Sequence, residues 1–301
     1  MTAVRSTYRS PTPRRNLIAA CGFLAPTAVL ILLLRLLPAG AALSDSTRNV
    51  LPGSLAPAKF IGFQGFLSLI SGESFWHSIR QTLIFNLFVN PIQILIALAL
   101  AVLLTRNLPA SGLWRTLIFL PSAVPLAGSS IVWGIALRPD GPVNGVLALV
   151  GVPAQPWFTS PDQVITSLII LASWIGIGYW MIFLVAGLND IPSVYFEAAR
   201  VDGAGAIRTF FYITLPMLRR PLLFVLVADT VANFVLFAPV QILTRGGPEK
   251  ASNFMMYDIF HRSYELSDPY TASVQLVVLL IIMIAIVVVQ FRLLGGSDGE
   301  K

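Results

Sequence analysis

The stretch VQLVVLLIIMIAIVVVQF, residues 274–291, contains no charged residue, and its only polar side chains are Gln275 and Gln290. A membrane-spanning helix needs about 20 mostly apolar residues, because a rise of about 1.5 Å per residue must cover about 30 Å of hydrocarbon. With its apolar flanks, this stretch reaches that length between Thr271 and Leu294. The sequence therefore predicts a transmembrane helix here, and this prediction decides the fold class.

The composition of the whole chain agrees with a membrane protein. Of its 301 residues, 56% are hydrophobic and 11% are charged, and its mean hydropathy is +0.79. Soluble domains are about 25% charged, so this chain has too few charges to cover a water-facing surface. The composition excludes a soluble globular enzyme and a disordered or fibrous chain. The single cysteine, Cys21, excludes an internal disulfide and a thiolate metal cluster.

Five further stretches have the length and hydrophobicity of a membrane span. The third and fifth spans carry prolines (Pro121, Pro125 and Pro239), which a helix bundle tolerates when neighbouring groups satisfy the freed carbonyls. We therefore predict an all-α polytopic membrane protein with six transmembrane helices. The predicted spans are Leu17–Leu37, Gln81–Thr105, Trp114–Leu137, Gln163–Leu188, Pro221–Leu243 and Thr271–Leu294.

The first span has two interpretations. Arg14 and Arg15 precede its apolar run and the small residues PAGAA follow Leu37, which is typical of a secretory signal peptide. However, the apolar run is longer than the 7–15 residues usual for a signal peptide. The length favours a retained transmembrane helix.

The distribution of Lys and Arg predicts the orientation of the chain. If the N-terminus is cytoplasmic, the inner segments carry more basic residues than the outer ones, as the positive-inside rule expects. The outer basic residues are then only Arg48, Lys59, Arg80, Arg138, Arg245, Lys250 and Arg262. Both termini are therefore predicted to be cytoplasmic, with residues 1–16 and 295–301 as tails of a membrane domain at 17–294. The net charge of +6 then reflects topology, and we predict no nucleic-acid partner.

The sequence offers no catalytic or energy-coupling chemistry of its own. A P-loop needs the dipeptide Gly-Lys, but the lysines follow Ala58, Glu249 and Glu300. His77 and His261 are predicted to lie in outer loops, and neither belongs to a zinc-binding HExxH or a GxSxG nucleophile pattern. We therefore predict that the chain is not an enzyme and holds no cofactor or metal.

The longest predicted inner loop, residues 189–220, contains EAARVDGAGAIRTFFYITLP at positions 197–216. A short helix is predicted from Phe196 to Val201, ended by two glycines, Gly203 and Gly205, because glycine alone adopts positive φ without penalty.

A second short helix is predicted to follow these glycines. It places Ile207, Phe210 and Phe211 on one face, and the dipeptide Leu215-Pro216 is expected to end it. Two interpretations are even on physical grounds: an amphipathic linker lying on the bilayer surface, or an element that docks into a cleft of a cytosolic partner.

This loop resembles the EAA loop of ABC importer permeases. The likeness consists of Glu-Ala-Ala, a glycine six residues after the glutamate, an isoleucine ten residues after that glycine, and then Leu-Pro. The resemblance extends across most of the chain and is to the carbohydrate-type branch, similar to maltose and glycerol-3-phosphate permeases. The matching residues are Glu197, Ala198, Ala199, Asp202, Gly203, Ala204, Phe210, Ile213, Leu215 and Pro216.

Shorter stretches extend the resemblance, and two depart from it. LPSAVP at 120–125, the later Trp133 and the Gly, Asn and Leu spacing within 141–147 agree with the family. Residues 244–248 read TRGGP where the family has Thr-Gly-Gly-Gly-Pro, and residues 268–272 read DPYTA in place of a Gly-Tyr-Ala pattern. The first outer loop is also short, without the extra domain of the maltose-type subunit.

The resemblance implies a type I ABC importer permease fold in a bacterial plasma (inner) membrane. It implies alternating-access transport of a sugar or a related polyol, such as glycerol phosphate or a glycerophosphodiester. The EAA loop would sit in a groove of an ATPase subunit, present in two copies. A homologous second permease would complete the pore, an extracytoplasmic binding protein would deliver substrate, and membrane lipid would surround the helices.

Two other classes of protein are alternatives. An ion-coupled secondary transporter favours inverted repeats and paired intramembrane carboxylates, but Asp229 is the only acid predicted deep inside a span and no repeat is visible. An intramembrane enzyme is opposed by the missing catalytic motifs.

Polar residues inside spans are costly and usually face a cavity or another helix. Asp229 lies one turn before Asn233 on the same helix face, and Asn86, Asn90 and Gln93 form a second polar stripe. These residues either line the pathway and bond to substrate hydroxyls, or make interhelical contacts, in the case of Asp229 and Asn233 with the second permease.

Three aromatic residues complete the substrate-pathway candidates. Trp174, Tyr179 and Trp180 are able to stack on a sugar ring, because the apolar faces of sugars pack well on aromatics. The alternative is that they belong to the interfacial aromatic belt.

Overall fold

The computed structural model describes residues 13–49, 59–106 and 109–294. These residues are helical apart from loops and two short strands, β1 (Arg48–Asn49) and β2 (Lys59–Phe60), which pair antiparallel with Arg48 opposite Phe60. The structure therefore confirms a helical fold, with this two-residue ribbon as the one exception among the described residues. Most of the two predicted tails lies outside the described residues.

Fourteen α-helices follow one another along the described chain. Tighter or wider turns continue several of them: a 3-10 turn at Leu120–Ala123 and π turns at Leu32–Leu36, Phe210–Thr214, Val240–Thr244 and His261–Glu265. The helices are α1 (Pro13–Ile31), α2 (Leu37–Asp45), α3 (Gln64–Ile70), α4 (Glu73–Leu104), α5 (Ser111–Phe119), α6 (Leu126–Ala136), α7 (Pro142–Leu149), α8 (Pro161–Asn189), α9 (Ser193–Val201), α10 (Ala206–Thr209), α11 (Leu215–Met217), α12 (Arg219–Phe234), α13 (Met255–Phe260) and α14 (Pro269–Leu294).

Four helices are each long and apolar enough to cross a membrane: residues 20–45, α4, α8 and α14. Two bent pairs of helices bring the number up to six if each pair counts as one span. The length and composition of the described helices thus allow the predicted six spans without establishing that number.

The predicted third span is not one straight helix. The segment Ser111–Ala123 and α6 meet at an angle of 94°. The cause is local: Val124 precedes a proline and is extended, with φ −87° and ψ 130°, as a pre-proline residue prefers. The two prolines of LPSAVP therefore produce a corner rather than a tolerated irregularity inside a helix.

The predicted fifth span, Pro221–Leu243, was wrong at its end. Helix α12 stops at Phe234, and a non-helical break separates it from the π turn at Val240–Thr244. Pro239 directly precedes that turn, where its missing N–H costs nothing. Upstream, the segment Ala206–Met217 joins α12 at an angle of 68°.

Both predicted loop histidines lie in helical structure instead. Helix α4 begins at Glu73 rather than Gln81, so His77 lies in its first turns, and His261 begins the last π turn. The sequence signal was polarity, which does not distinguish a loop from the water-exposed end of a long helix.

The centre of the bundle is the pair α4 and α8, packed along their apolar faces. Small residues allow this close approach. A Cβ added at Gly176 would meet Gln93 Oε1 of α4 at 2.5 Å, and one at Gly187 would meet Pro221 Cβ of α12 at 2.7 Å. Small residues at crossings let transmembrane helices pack backbone to backbone, so these glycines position α4 and α12 against α8.

The first long helix lies at the periphery of this bundle, and its last part, α2, packs against α14. None of the most apolar 18-residue window within residues 20–45 is buried, whereas the corresponding window of α8 is 56% buried. The small residues PAGAA lie inside α2, so the chain is helical through the stretch that resembled a cleavage site.

Candidate functional site

We refer to residues 193–217, from α9 to α11, as the EAA segment. Helix α9 ends in a Schellman motif. Gly203 has φ +70°, its N–H donates to the Arg200 carbonyl at 3.1 Å, and the Ala204 N–H donates to the Ala199 carbonyl at 2.8 Å. Only glycine adopts this φ at no steric cost, so the sequence ends the helix where we predicted.

Gly205 does not share this role. Its φ is −72° and its ψ is 167°, an extended conformation open to any residue. The prediction that both glycines use positive φ was therefore wrong for Gly205. Leu215-Pro216 does not end the second helix either, because α11 runs through it to Met217 and the bend falls at Leu218.

The second half of the EAA segment exposes most of its large apolar side chains. Ile207 is 78% exposed, Phe211 58% and Tyr212 77%. Phe210, expected on the same outward face, instead packs against the core formed by α4 and α8. The π turn at Phe210–Thr214 changes the helical period, which explains why the α-helical spacing misplaced this residue. Glu197 and Asp202 are exposed, while Ala199 is buried.

A cavity of 780 Å³ lies between the EAA segment and the ends of α4 and α8. Phe196, Arg200 and Phe210 line it from the segment, and Arg106 and Asn189 line it from the helix ends. The EAA segment therefore contacts the bundle through Phe196 and Phe210 and borders a cavity beside these contacts.

The second cluster of candidate residues forms a buried polar network around Asp229. The Trp180 indole donates to Asp229 Oδ1 at 2.6 Å, and Asn233 donates to the same oxygen at 3.0 Å. Asp229 is 1% exposed, and its other oxygen has no hydrogen-bond partner among the described residues. Both donors belong to this chain, so the contacts of Oδ1 do not need a second permease.

The polar stripe of α4 joins the same network. Asn233 also donates to Asn90 Oδ1 at 2.8 Å, and Asn90 lies within 3.4 Å of Asn86 Oδ1 and 3.3 Å of Thr230 Oγ1. Gln290 of α14 donates to Thr230 at 2.8 Å. The network thus ties α4, α8, α12 and α14 together at one depth.

Sequence reasoning missed Thr230 and Gln290. A usable signal existed for Gln290, which is one of only two polar residues in the apolar stretch 274–291. Thr230 offered none, because a threonine satisfies its own hydroxyl on the helix, here by donating to the Leu226 carbonyl at 2.7 Å.

The aromatic candidates separate into two groups. Tyr179 packs against Trp180 with ring centroids 4.8 Å apart and is 42% exposed, so it lies at the edge of the polar network. Trp174 contacts Trp133, with ring centroids 5.7 Å apart, and is 39% exposed. Trp174 has no hydrogen bond to the network among the described residues.

No group of three or more His, Cys, Asp and Glu side chains within the described ranges is placed to hold a metal ion. The chemistry available at the Asp229 network is therefore hydrogen bonding by amides, a carboxylate, a hydroxyl and an indole. The EAA segment offers apolar contact surface.

Residues 93–295 match the family model described as "binding-protein-dependent transport system inner membrane component". The sn-glycerol-3-phosphate transport system permease protein UgpA of Pectobacterium atrosepticum is 32% identical, over 97% of each chain. The lactose transport system permease protein LacF of Rhizobium radiobacter is 32% identical, over 93% of this chain and 95% of its own. The probable ABC transporter permease protein YesP of Bacillus subtilis is 31% identical, over 94% of this chain and 93% of its own.

A solved structure has the same fold. A chain of a bacterial alginate ABC transporter, crystallised with a periplasmic protein bound to an alginate pentasaccharide, superposes with a TM-score of 0.77. It shares 21% identity and the match covers 93% of this chain and 94% of that chain.

Proposed function

Because this chain belongs to the family of binding-protein-dependent transport system inner membrane components, as its match over residues 93–295 shows, we propose that it is the pore-forming subunit of an ABC importer for a hydroxylated solute. It gates the pathway, and a separate ATPase subunit, in two copies, supplies the energy. A second permease completes the pore, and an extracytoplasmic binding protein delivers the solute. Both termini are cytoplasmic in this arrangement.

The EAA segment is the observation that carries the proposal. A helix ended by a Schellman motif, followed by exposed Ile207, Phe211 and Tyr212, is a compact apolar projection suited to a groove on another protein. An isolated bundle gains nothing from exposing such side chains to water, since burying each is worth about 1.5–3 kcal/mol. The cavity behind the segment gives it room to move when its partner closes.

The solute class follows from the names of the relatives. UgpA is named for sn-glycerol-3-phosphate and LacF for lactose, and both molecules carry at least two alcohol hydroxyl groups. Amides and carboxylates are the usual partners of hydroxyls. We therefore propose that the buried polar network becomes accessible to the solute during transport and that Tyr179 forms an aromatic surface beside it. The network residues are Asp229, Asn233, Asn90 and Asn86.

Coupling is tested in proteoliposomes that contain the complete transporter of this chain. The variant Gly203→Pro removes the N–H donor to Arg200 and demands negative φ where the chain has +70°. We expect normal insertion but loss of transport-coupled ATP hydrolysis. Gly205→Ala is the matched control, because residue 205 is already extended and has open space around it. Uptake at the wild-type rate by Gly203→Pro would contradict the proposal.

The pathway is tested with Asp229→Ala in the same proteoliposomes. Uptake rate or specificity should change while the complex still assembles, because the variant removes a buried acceptor on α12. Asp162→Ala removes an exposed acid at the start of α8 and should leave uptake unchanged. Uptake by Asp229→Ala with the kinetics of the wild type would show that Asp229 is not part of the solute pathway.

A further inference from the structure

A second pocket lies at the other end of the bundle from the EAA segment. It has a volume of 400 Å³, and its lining includes four basic residues: Arg245, Lys250, His261 and Arg262. Ser74 of α4 also lines it, whereas Val102 of α4 lines the cavity behind the EAA segment. At about 1.5 Å per residue, these two positions on one helix are about 40 Å apart.

The charges in this pocket do not cancel. Its one carboxylate, Asp258, already accepts from Arg262 Nε at 2.9 Å, Gln275 Nε2 at 2.6 Å and Asn253 Nδ2 at 3.3 Å. Among the described residues, Arg245 and Lys250 form no ion pair. Glu265 lies 3.4 Å from His261, so two exposed cations, Arg245 and Lys250, face the pocket without an ion-pair partner among the described residues.

Neutral donors add to these cations. Tyr257 lines the pocket, and its hydroxyl is a donor at neutral pH because the pKa of tyrosine is ordinarily about 10; burial raises this pKa further. The side chain of Asn253 lines the same space. An oxyanion in the pocket would thus meet both charge and hydrogen-bond donors.

The turn that carries both cations is held rigidly. Thr244 and Ser252 share a hydrogen bond of 2.7 Å, and Ser252 donates to the Gly247 carbonyl at 2.6 Å. The Lys250 carbonyl lies 2.9 Å from His77 Nε2. Because the turn is fixed before any ligand arrives, little ordering entropy is lost on binding.

We propose that this pocket binds a small oxyanion, a phosphate or carboxylate group, between Arg245 and Lys250. The anion is carried either by a free solute or by a lipid headgroup, and both present the same oxygens. The site is independent of the ATPase coupling proposed above.

The test measures binding of inorganic phosphate to the purified full chain in nanodiscs of phosphatidylcholine, by calorimetry at low ionic strength. The double variant Arg245→Gln/Lys250→Gln should weaken phosphate binding at least tenfold, since it removes both charged donors to the oxyanion. The control Lys59→Gln/Arg138→Gln removes two exposed charges outside the pocket and should change affinity less than twofold. Equal losses in the two double variants would overturn the proposal.

Two further measurements keep the proposal testable if the first variant folds poorly. Arg245→Lys/Lys250→Arg conserves both charges and should retain binding to within a few-fold, and its failure to bind in a folded protein would count against the site. Adding phosphatidylglycerol distinguishes the sources. If it lowers the phosphate affinity of the wild type, a headgroup competes for the site, and unchanged phosphate affinity assigns the site to a free solute.

Discussion

Replacing Gly203 by alanine isolates the contribution of backbone conformation to the EAA segment. A Cβ at this position has no heavy atom within 4 Å, so the substitution causes no clash. The cost comes only from φ +70°, because a left-handed conformation is unfavourable by about 1–2 kcal/mol for a residue with a Cβ. Gly205 is also surrounded by open space but is extended, so Gly205→Ala carries no such cost.

Hydrogen exchange of the Ala204 amide measures this difference directly, since that amide closes the Schellman motif on the Ala199 carbonyl at 2.8 Å. A loss of about 1–2 kcal/mol corresponds to exchange about 5 to 30 times faster in Gly203→Ala. Gly205→Ala should exchange at nearly the wild-type rate. Gly203→Asn should recover part of the protection, because asparagine tolerates the left-handed region.

Equal changes in the protection of the Ala204 amide in both alanine variants would contradict this role of Gly203. Protection in Gly203→Asn no greater than in Gly203→Ala would contradict it as well. Either result would mean that contacts of the segment, rather than the φ of one residue, hold its bend.

Three further predictions concern the stability of the chain in detergent or nanodiscs. Asp229→Leu leaves the donors of Trp180 and Asn233 unsatisfied and should lower the free energy of unfolding by about 1–3 kcal/mol. Asp229→Asn keeps an acceptor oxygen and should lower it less. Thermal unfolding of the two variants measures the difference. Asn144→Ala removes the side chain that bonds to the carbonyls of Arg138 and Gln155 at 3.1 and 2.9 Å, so hydrogen exchange should accelerate throughout residues 138–157. Gly178→Ala places a Cβ against the backbone carbonyl of Ile118 and should lower stability by about 1–3 kcal/mol, while Gly145→Ala, with open space around it, should not.

Hydrophobicity predicted the helical class and most of the spans, and the EAA pattern predicted the carbohydrate-type ABC permease family, which the relatives confirm. The α-helical spacing of apolar residues did not predict which side chains face the core where an α-helix continues as a π turn. The π turn at Phe210–Thr214 turned Phe210 inward, and no α-helical spacing anticipates such a turn.

Contacts between distant parts of the chain were not predictable. The bond between Trp180 and Asp229 joins residues 49 positions apart, and that between Asn233 and Asn90 joins residues 143 apart. A single sequence contains the polar residues but not their partners. The sequence did not predict the basic pocket for the same reason. Arg245 and Arg262 line it together but are separated along the chain by a loop and α13.

The long first helix, residues 20–45, is apolar and exposed along most of its length, but its last part, α2, packs against α14. Before that contact, lipid hydrocarbon does not distinguish one apolar face of the helix from another. Arg35 differs, since it is the only charged side chain between residue 20 and Asp45. A guanidinium on a flexible stem extends to the headgroup layer, so Arg35 favours the depth and the rotation of the helix that bring it to that layer.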